Sequence, residues 1–271
     1  MLDIASKTDT FGVVASKDNK GGDMENLGRK HLVALSFLLV SLLSLPLSAS
    51  AEWYADLYAG GAFTNNAKGV QSSTFGPTTL TSEDLDVDNS ITGGGRAGYW
   101  FERVPWYGLG LDVFYFGPDI PTQASQTAIV SAIPGVSGTT ALTNQKFSLS
   151  VIGIGFDILR LRLPLLKDKT FPHGRLQPYL TAGPALFISN VKDTGNFQPT
   201  NQSQSDTSVG FKVGAGVSYQ ITKLLGLFGE YRFTHFKSDA TFSDSTPPPS
   251  TENIETTFNT HHIIGGVSFR F

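Results

Sequence analysis

Past residue 51 the chain holds no apolar run long enough for a helix to cross a bilayer, yet it alternates apolar and polar residues again and again. Each alternating span is about as long as the ~9–11 residues a tilted strand needs to cross the hydrocarbon layer. Backbone groups in lipid must all be paired, so crossing by strands requires a closed barrel. Thr257–Phe271, reading TFNTHHIIGGVSFRF, shows the pattern clearly. Phe271, Phe269, Val267, Gly265, Ile263 and His261 share one parity, and Arg270, Ser268, Gly266, Ile264, His262 and Thr260 share the other. In a membrane barrel the first set faces acyl chains and the second faces the lumen.

Seven further segments follow the same rule. Glu52–Phe63 sets Trp53, Leu57 and Phe63 against Tyr54, Asp56 and Tyr58. Ile91–Glu102 sets Ile91, Ala97 and Tyr99 against Thr92, Arg96 and Trp100, and Trp106–Gly117 sets Leu109, Leu111 and Val113 against Gly110, Asp112 and Phe114. In Lys146–Leu163 the centre, Val151-Ile152-Gly153-Ile154-Gly155-Phe156, is apolar on both faces, so parity does not choose there; Leu159–Leu163 alternates cleanly. Gln177–Ser189, Ser208–Gln220 and Leu224–Phe236 complete the set, the last two placing Lys212, Glu230 and Arg232 on the polar face. The sequence therefore predicts an all-β, eight-stranded, antiparallel up-and-down transmembrane barrel over 52–271.

The connections differ in length in a regular way. Residues 103–105 and 221–223 are short and 164–176 intermediate, whereas 64–90, 118–145, 190–207 and 237–256 are long and rich in Ser, Thr, Asn, Gln and Pro. Short turns at one end and long loops at the other match barrels whose turns lie in the periplasm and whose loops lie outside. Composition agrees: 29 glycines, 11% aromatic residues and 16% charged residues suit short strands with polar loops. A net charge of −3 argues against nucleic acid as the main partner. Zero cysteines exclude disulfides and thiolate chemistry, and the pattern calls for no cofactor.

Residues 1–51 read differently. Arg29, Lys30 and His31 precede the apolar run Leu32–Leu45, and Ala49-Ser50-Ala51 follows, which is the order of a helical secretory signal peptide cleaved after Ala51. The run falls short of the ~20 residues of a spanning anchor. Residues 1–23 form an unusual polar extension, and Met24 opens a conventional signal sequence, so translation is expected to start there. Both signs of charge occur five times in 1–51, so removing them leaves the net charge unchanged.

A soluble lipocalin-like barrel would reverse the faces. Glycine gathered on the polar face favours a narrow filled interior. Tyr54, Trp100, Tyr107, Tyr179, Tyr219 and Phe271 fall at strand ends, where aromatic girdles mark the lipid–water boundaries.

The segments QPYLTAG (177–183), VGAGVSY (213–219), GEYRF (229–233) and GGVSFRF (265–271) together resemble the outer-membrane protein β-barrel family. That family includes opacity-type surface proteins and is similar to the transmembrane domain of outer-membrane protein A; the resemblance covers essentially all of 52–271. It implies a Gram-negative outer-membrane location, contact with lipid and lipopolysaccharide, and a monomer. It also implies that Gly266, Phe269 and Phe271 carry the signal read by the barrel assembly machinery, with Ile264 departing from the polar residue usual at its position. The resemblance does not specify an activity.

Chemistry could reside in three places. Asp56, Arg96, Asp112, Lys212, Glu230 and Arg232 are predicted inside the barrel, where isolated charges are untenable, so a plugging ion-pair network is expected in place of a conduit. Glu83, Asp84, Asp86 and Asp88 resemble a calcium loop, but Asn89 stands at the glycine position and Gly95 at that of the bidentate glutamate, so solvated acids on an extension of the second strand fit better. His235 and His261 fall at similar heights near the long-loop rim and face outward, either as boundary residues or as a rim site or metal pair. Some barrels of this shape modify lipid A, and 230–235 with His261-His262 bears some likeness to a lipid A oxidase; a deacylase triad would need a serine sharing a face with the histidine, and Ser238 matches poorly. The main expectation is thus a surface barrel with structural, adhesive or envelope-contact roles. The alternative is a lipid A-modifying enzyme using His235 and His261, with His262 or Glu230.

Overall fold

The computed structural model describes residues 52–271 except 74–77, 132–134, 136, 145–146, 194–202 and 245–249. The signal peptide, Met24 and the Ala51 cleavage site lie outside the described residues. Among the described residues there are twelve strands: β1 (Glu52–Thr64), β2 (Ala67–Ser73), β3 (Thr78–Leu85), β4 (Ser90–Trp100), β5 (Tyr107–Phe116), β6 (Gln123–Ser131), β7 (Gly138–Asn144), β8 (Phe147–Arg162), β9 (Leu176–Asp193), β10 (Ser203–Gln220), β11 (Leu225–Asp244) and β12 (Ser250–Arg270).

Eight of them form a closed antiparallel ring in the order β1-β4-β5-β8-β9-β10-β11-β12, and β12 returns to β1. Closure runs from Tyr54↔Arg270 to Thr64↔Thr260, with the Phe271 amide donating to the Trp53 carbonyl at 2.9 Å. No edge is left within the ring, which is what lipid demands of a sheet.

The faces are those the alternation predicts. Leu57, Ile91, Leu111, Val209, Tyr231 and Ile263 are exposed on the outer wall, whereas Asp56, Arg96, Asp112, Lys212, Arg232 and His262 are buried inside. A soluble barrel would expose the second set. The ambiguous strand is settled by a bulge: β8 slips one residue against β9 between Gly155 and Leu159. Ile158 and Leu159 consequently both face outward, and Asp157 and Arg160 both face inward.

Two expectations need correction. Tyr54, Trp100 and Tyr179 do not join an aromatic girdle; they are 2%, 2% and 6% exposed and point into the lumen. They share the inward parity of Asp56, Arg96 and Thr181, and parity outweighs their closeness to a strand end. Trp53, Trp106, Tyr219, Phe269 and Phe271 hold the outward positions at that boundary. The long connections are also more ordered than polar composition suggests. β2, β3, β6 and β7 arise within 64–90 and 118–145, and β9 to β12 run on well past the expected ends.

β12 pairs with β1 along its lower half and with β2 along its upper half, from Thr257↔Lys68 to Glu252↔Ser73. β2, β3, β6 and β7 then follow side by side, so the wall continues into a sheet standing beyond the rim. Leu85 closes β3 and is buried, while Asp86 and Asp88 are exposed beyond it. The second barrel strand therefore starts at Ser90 and is not extended through Leu85 and Val87. Among the described residues no group of three or more acidic, histidine or cysteine side chains converges as a metal-binding set.

Candidate functional site: the barrel interior and the outer rim

Inward positions carry charged residues into the lumen on seven strands, and cross-strand register sets their heights. Asp56, Arg96 and Asp112 lie in one row across β1, β4 and β5. Arg96 Nε donates to Asp56 Oδ2 at 3.0 Å and Nη1 to Glu230 Oε2 at 2.8 Å. Arg232 reaches Asp112 Oδ2 at 2.9 Å and Glu230 Oε1 at 3.0 Å. Lys212 reaches Asp112 Oδ2 at 2.5 Å and Asp157 Oδ1 at 2.8 Å. Arg160 lies 3.4 Å from Asp157 and 3.6 Å from Asp56. Tyr179 donates to Glu230 at 2.8 Å, Tyr58 donates to Asp112, and Arg232 Nη1 donates to the Tyr58 hydroxyl at 3.0 Å.

All six residues predicted for an interior network thus meet, joined by Asp157 and Arg160. Asp157 escapes a parity reading because the β8 bulge reverses the faces beside it; Arg160 lies in the cleanly alternating Leu159–Leu163, and its inward parity is legible there. Four carboxylates face four cations, so this layer is neutral and its charges are linked by hydrogen bonds, the condition under which buried ions are tolerable. The rings of Tyr54 and Tyr179 lie 4.5 and 5.0 Å from the Arg160 guanidinium carbon and cover its faces.

Below this layer, at the short-turn end, Glu52 accepts from Arg162 at 2.5 Å and from Arg270 at 2.7 Å, and Gln177 accepts from both arginines. Above it the lumen is filled by Phe114, Phe116, Phe187, Phe236 and Phe258. Phe187 and Phe236 stack at 4.3 Å, and His262 stands edge-on to Phe116 at 5.0 Å. The three layers leave the interior occupied along its length, as an eight-stranded barrel requires.

The four residues of the alternative site do not converge. Glu230 belongs to the ion network, and His262 is wholly buried with its Nε2 3.0 Å from the Thr234 hydroxyl. His235 and His261 lie on the outer wall, as their parity predicts. His235 Nδ1 lies 2.6 Å from Asn259 Oδ1, and its ring stacks on Phe211 at 5.3 Å. His261 Nδ1 lies 2.6 Å from the Tyr231 hydroxyl, beside Phe233. Ser238 turns inward to Ser189 at 2.8 Å and shares no face with His235. Of the assembly-signal residues, Phe269 and Phe271 are exposed outward. Gly266 sits where a Cβ would come within 2.2 Å of the Leu57 carbonyl oxygen across the closing seam.

The model of the outer membrane protein beta-barrel domain family matches residues 35–271. Among solved structures, OprG from Pseudomonas aeruginosa aligns with 11% identity over 82% of this chain and 96% of its own, at a TM-score of 0.52. Neisserial surface protein A aligns with 18% identity over 81% of this chain and 97% of its own, at a TM-score of 0.40. No curated protein matches the sequence.

Proposed function

The chain belongs to the outer membrane protein beta-barrel domain family, and from that premise we propose that it is a non-conducting monomeric surface barrel. Its working part is then the sheet beyond the rim, which makes adhesive or envelope contacts. The observation that carries this reading is the filled lumen: a neutral network of buried ions under a layer of five phenylalanines. The strand lengths support it too. β12 has 21 residues where crossing needs about 9–11, so roughly half of it stands clear of the bilayer. With short turns in the periplasm, that half faces outward, toward lipopolysaccharide. Single-channel recording of the folded barrel in planar bilayers tests the closed lumen. A quiet trace is expected, and sustained unitary steps from the wild type would overturn it.

The lipid A-modifying alternative rests on His235 and His261, since Glu230 and His262 turn into the lumen. Mass spectrometry of lipid A from cells with and without the gene separates the two readings. An unchanged profile across growth conditions is expected, and a modification lost in a His235→Ala/His261→Ala strain would favour the enzyme. Gly266, Phe269 and Phe271 serve assembly in this reading. A Phe271→Ala chain should accumulate unassembled in the periplasm, and normal assembly would remove that role.

A further inference from the structure

The base of the barrel differs from the middle in its charge balance. The middle matches four carboxylates with four cations, whereas at the base, among the described residues, Glu52 stands between Arg162 and Arg270. The two guanidinium side chains are 1% and 7% exposed, and the Glu52 side chain is 19% exposed. By side chains alone this layer holds one net positive charge, and the Phe271 α-carboxylate at the same mouth is outnumbered by the Lys169 and Lys223 ammonium groups on its rim. An uncompensated buried charge is strongly unfavourable, so the layer favours an added anion.

Two buried polar atoms at this end of the barrel lack partners among the described residues. Arg270 commits Nη1 to Glu52 and Nη2 to Gln177, and its Nε has no partner among the described residues. Gln220, 4% exposed, gives Nε2 to Ser218 and leaves Oε1 without a partner among them. Both residues line one cavity of about 380 Å³ at the short-turn mouth, whose rim also carries Lys169, His173 and Lys223.

The rim is held in place. Asp168 Oδ1 accepts the Thr170 and Phe171 amides at 2.6 and 2.7 Å. Gly174 has φ +85°, and Gln177 Nε2 donates to its carbonyl at 2.7 Å. The Gln220 amide donates to the Arg175 carbonyl at 2.8 Å, and Arg175 Nε returns to the Gln220 carbonyl at 3.3 Å, lacing the connection to β10. Leu224 and Phe271 form an exposed apolar lip on the same cavity.

We infer that this mouth binds a phosphate-bearing group. Its oxygens accept from Arg270 Nε and from the ammonium groups of Lys169 and Lys223, charge-assisted contacts of the stronger kind. A hydroxyl on the same group, whether of hydrogen phosphate or of a glycerol headgroup, donates to Gln220 Oε1. The group is supplied by a phospholipid of the leaflet meeting the short turns or by free phosphate; the apolar lip, where acyl chains would lie, favours the lipid.

The test uses the full barrel folded in a zwitterionic detergent, with its heat-shifted gel band as the check on folding for every variant. In one arm inorganic phosphate is titrated while backbone amide resonances are followed. Shifts confined to Gly174, Gln220, Lys223 and Arg270 support the site. In the other arm native mass spectrometry counts lipid retained from vesicles of phosphatidylcholine with and without phosphatidylglycerol. Retained phosphatidylglycerol identifies the lipid source, and phosphate shifts without retained lipid identify the free anion. Lys169→Ala/Lys223→Ala should weaken binding about tenfold. Gln220→Leu keeps every charge and should weaken it measurably, which a diffuse basic surface would not. The inference fails if neither arm detects binding, or if Gln220→Leu binds like the wild type.

Discussion

Arg96 on β4 and Glu230 on β11 meet inside the barrel, Nη1 to Oε2 at 2.8 Å, though 134 residues apart in sequence and separated in the wall by β1 and β12. The contact ties opposite arcs of the ring through its lumen. Each partner also binds a second ion, Asp56 for Arg96 and Arg232 for Glu230, so the pair is the hinge of the whole network.

Removing one side of that pair should be severe. Arg96→Met leaves Glu230 short of a counter-charge in a lumen without room for bulk water, and a loss of about 3–5 kcal/mol is expected. Urea unfolding in lipid vesicles, followed by tryptophan fluorescence, measures it. Adding Glu230→Gln to the first change should cost at least ~1 kcal/mol less than the two single losses summed. Additivity of the two would show that they are not coupled.

A charge placed on the outer wall should report depth. Leu111 lies at the middle of β5 and faces outward, whereas Ile91 lies near the rim end of β4. Leu111→Arg is expected to cost about 2–4 kcal/mol and Ile91→Arg about 0–1 kcal/mol in the same unfolding assay. Equal small costs would mean that the wall does not face hydrocarbon.

Gly183 lies opposite the β8 bulge, where an added Cβ would fall 1.7 Å from the Phe156 carbonyl oxygen. The obstacle is backbone and cannot swing aside. Gly183→Ala should cost about 1–3 kcal/mol as overpacking and reduce the heat-shifted fraction on a gel, while Gly229→Ala, which meets nothing within 4 Å, should not. A Gly183→Ala barrel as stable as the wild type would contradict the bulge geometry.

The hairpin β6–β7 pairs with β3 and with itself, and takes no part in the closed ring. Replacing 124–144 by a short Gly-Gly turn should leave the heat-shifted band and the urea midpoint in place. The shortened chain should also escape a protease that clips the wild type in that hairpin on intact cells. Loss of folding would show that the outer sheet is needed for the ring.

The alternation in 52–271 was enough to determine the number of ring strands, their closure and, outside the centre of β8, which residues share a face, because a sheet has a side-chain period of two and lipid forbids an edge. It was also enough to place Asp56, Arg96, Asp112, Lys212, Glu230 and Arg232 in the lumen together. It could not place Asp157, since Val151–Phe156 is apolar on both faces and the bulge beyond it inserts a residue that pattern does not announce. Nor could it see β2, β3, β6 and β7: their polar, Ser- and Thr-rich sequences have no apolar face, and they become strands only because β12 extends past the rim and offers unpaired backbone. Tyr54, Trp100 and Tyr179 show the same division. Their places at strand ends marked them as boundary aromatics, but parity put them on the face of Asp56, Arg96 and Thr181, and the closed ring sets them on Arg160 and Arg162. The charge excess at the base, where Glu52, Arg162 and Arg270 come together from three strands, exists only once the wall has closed.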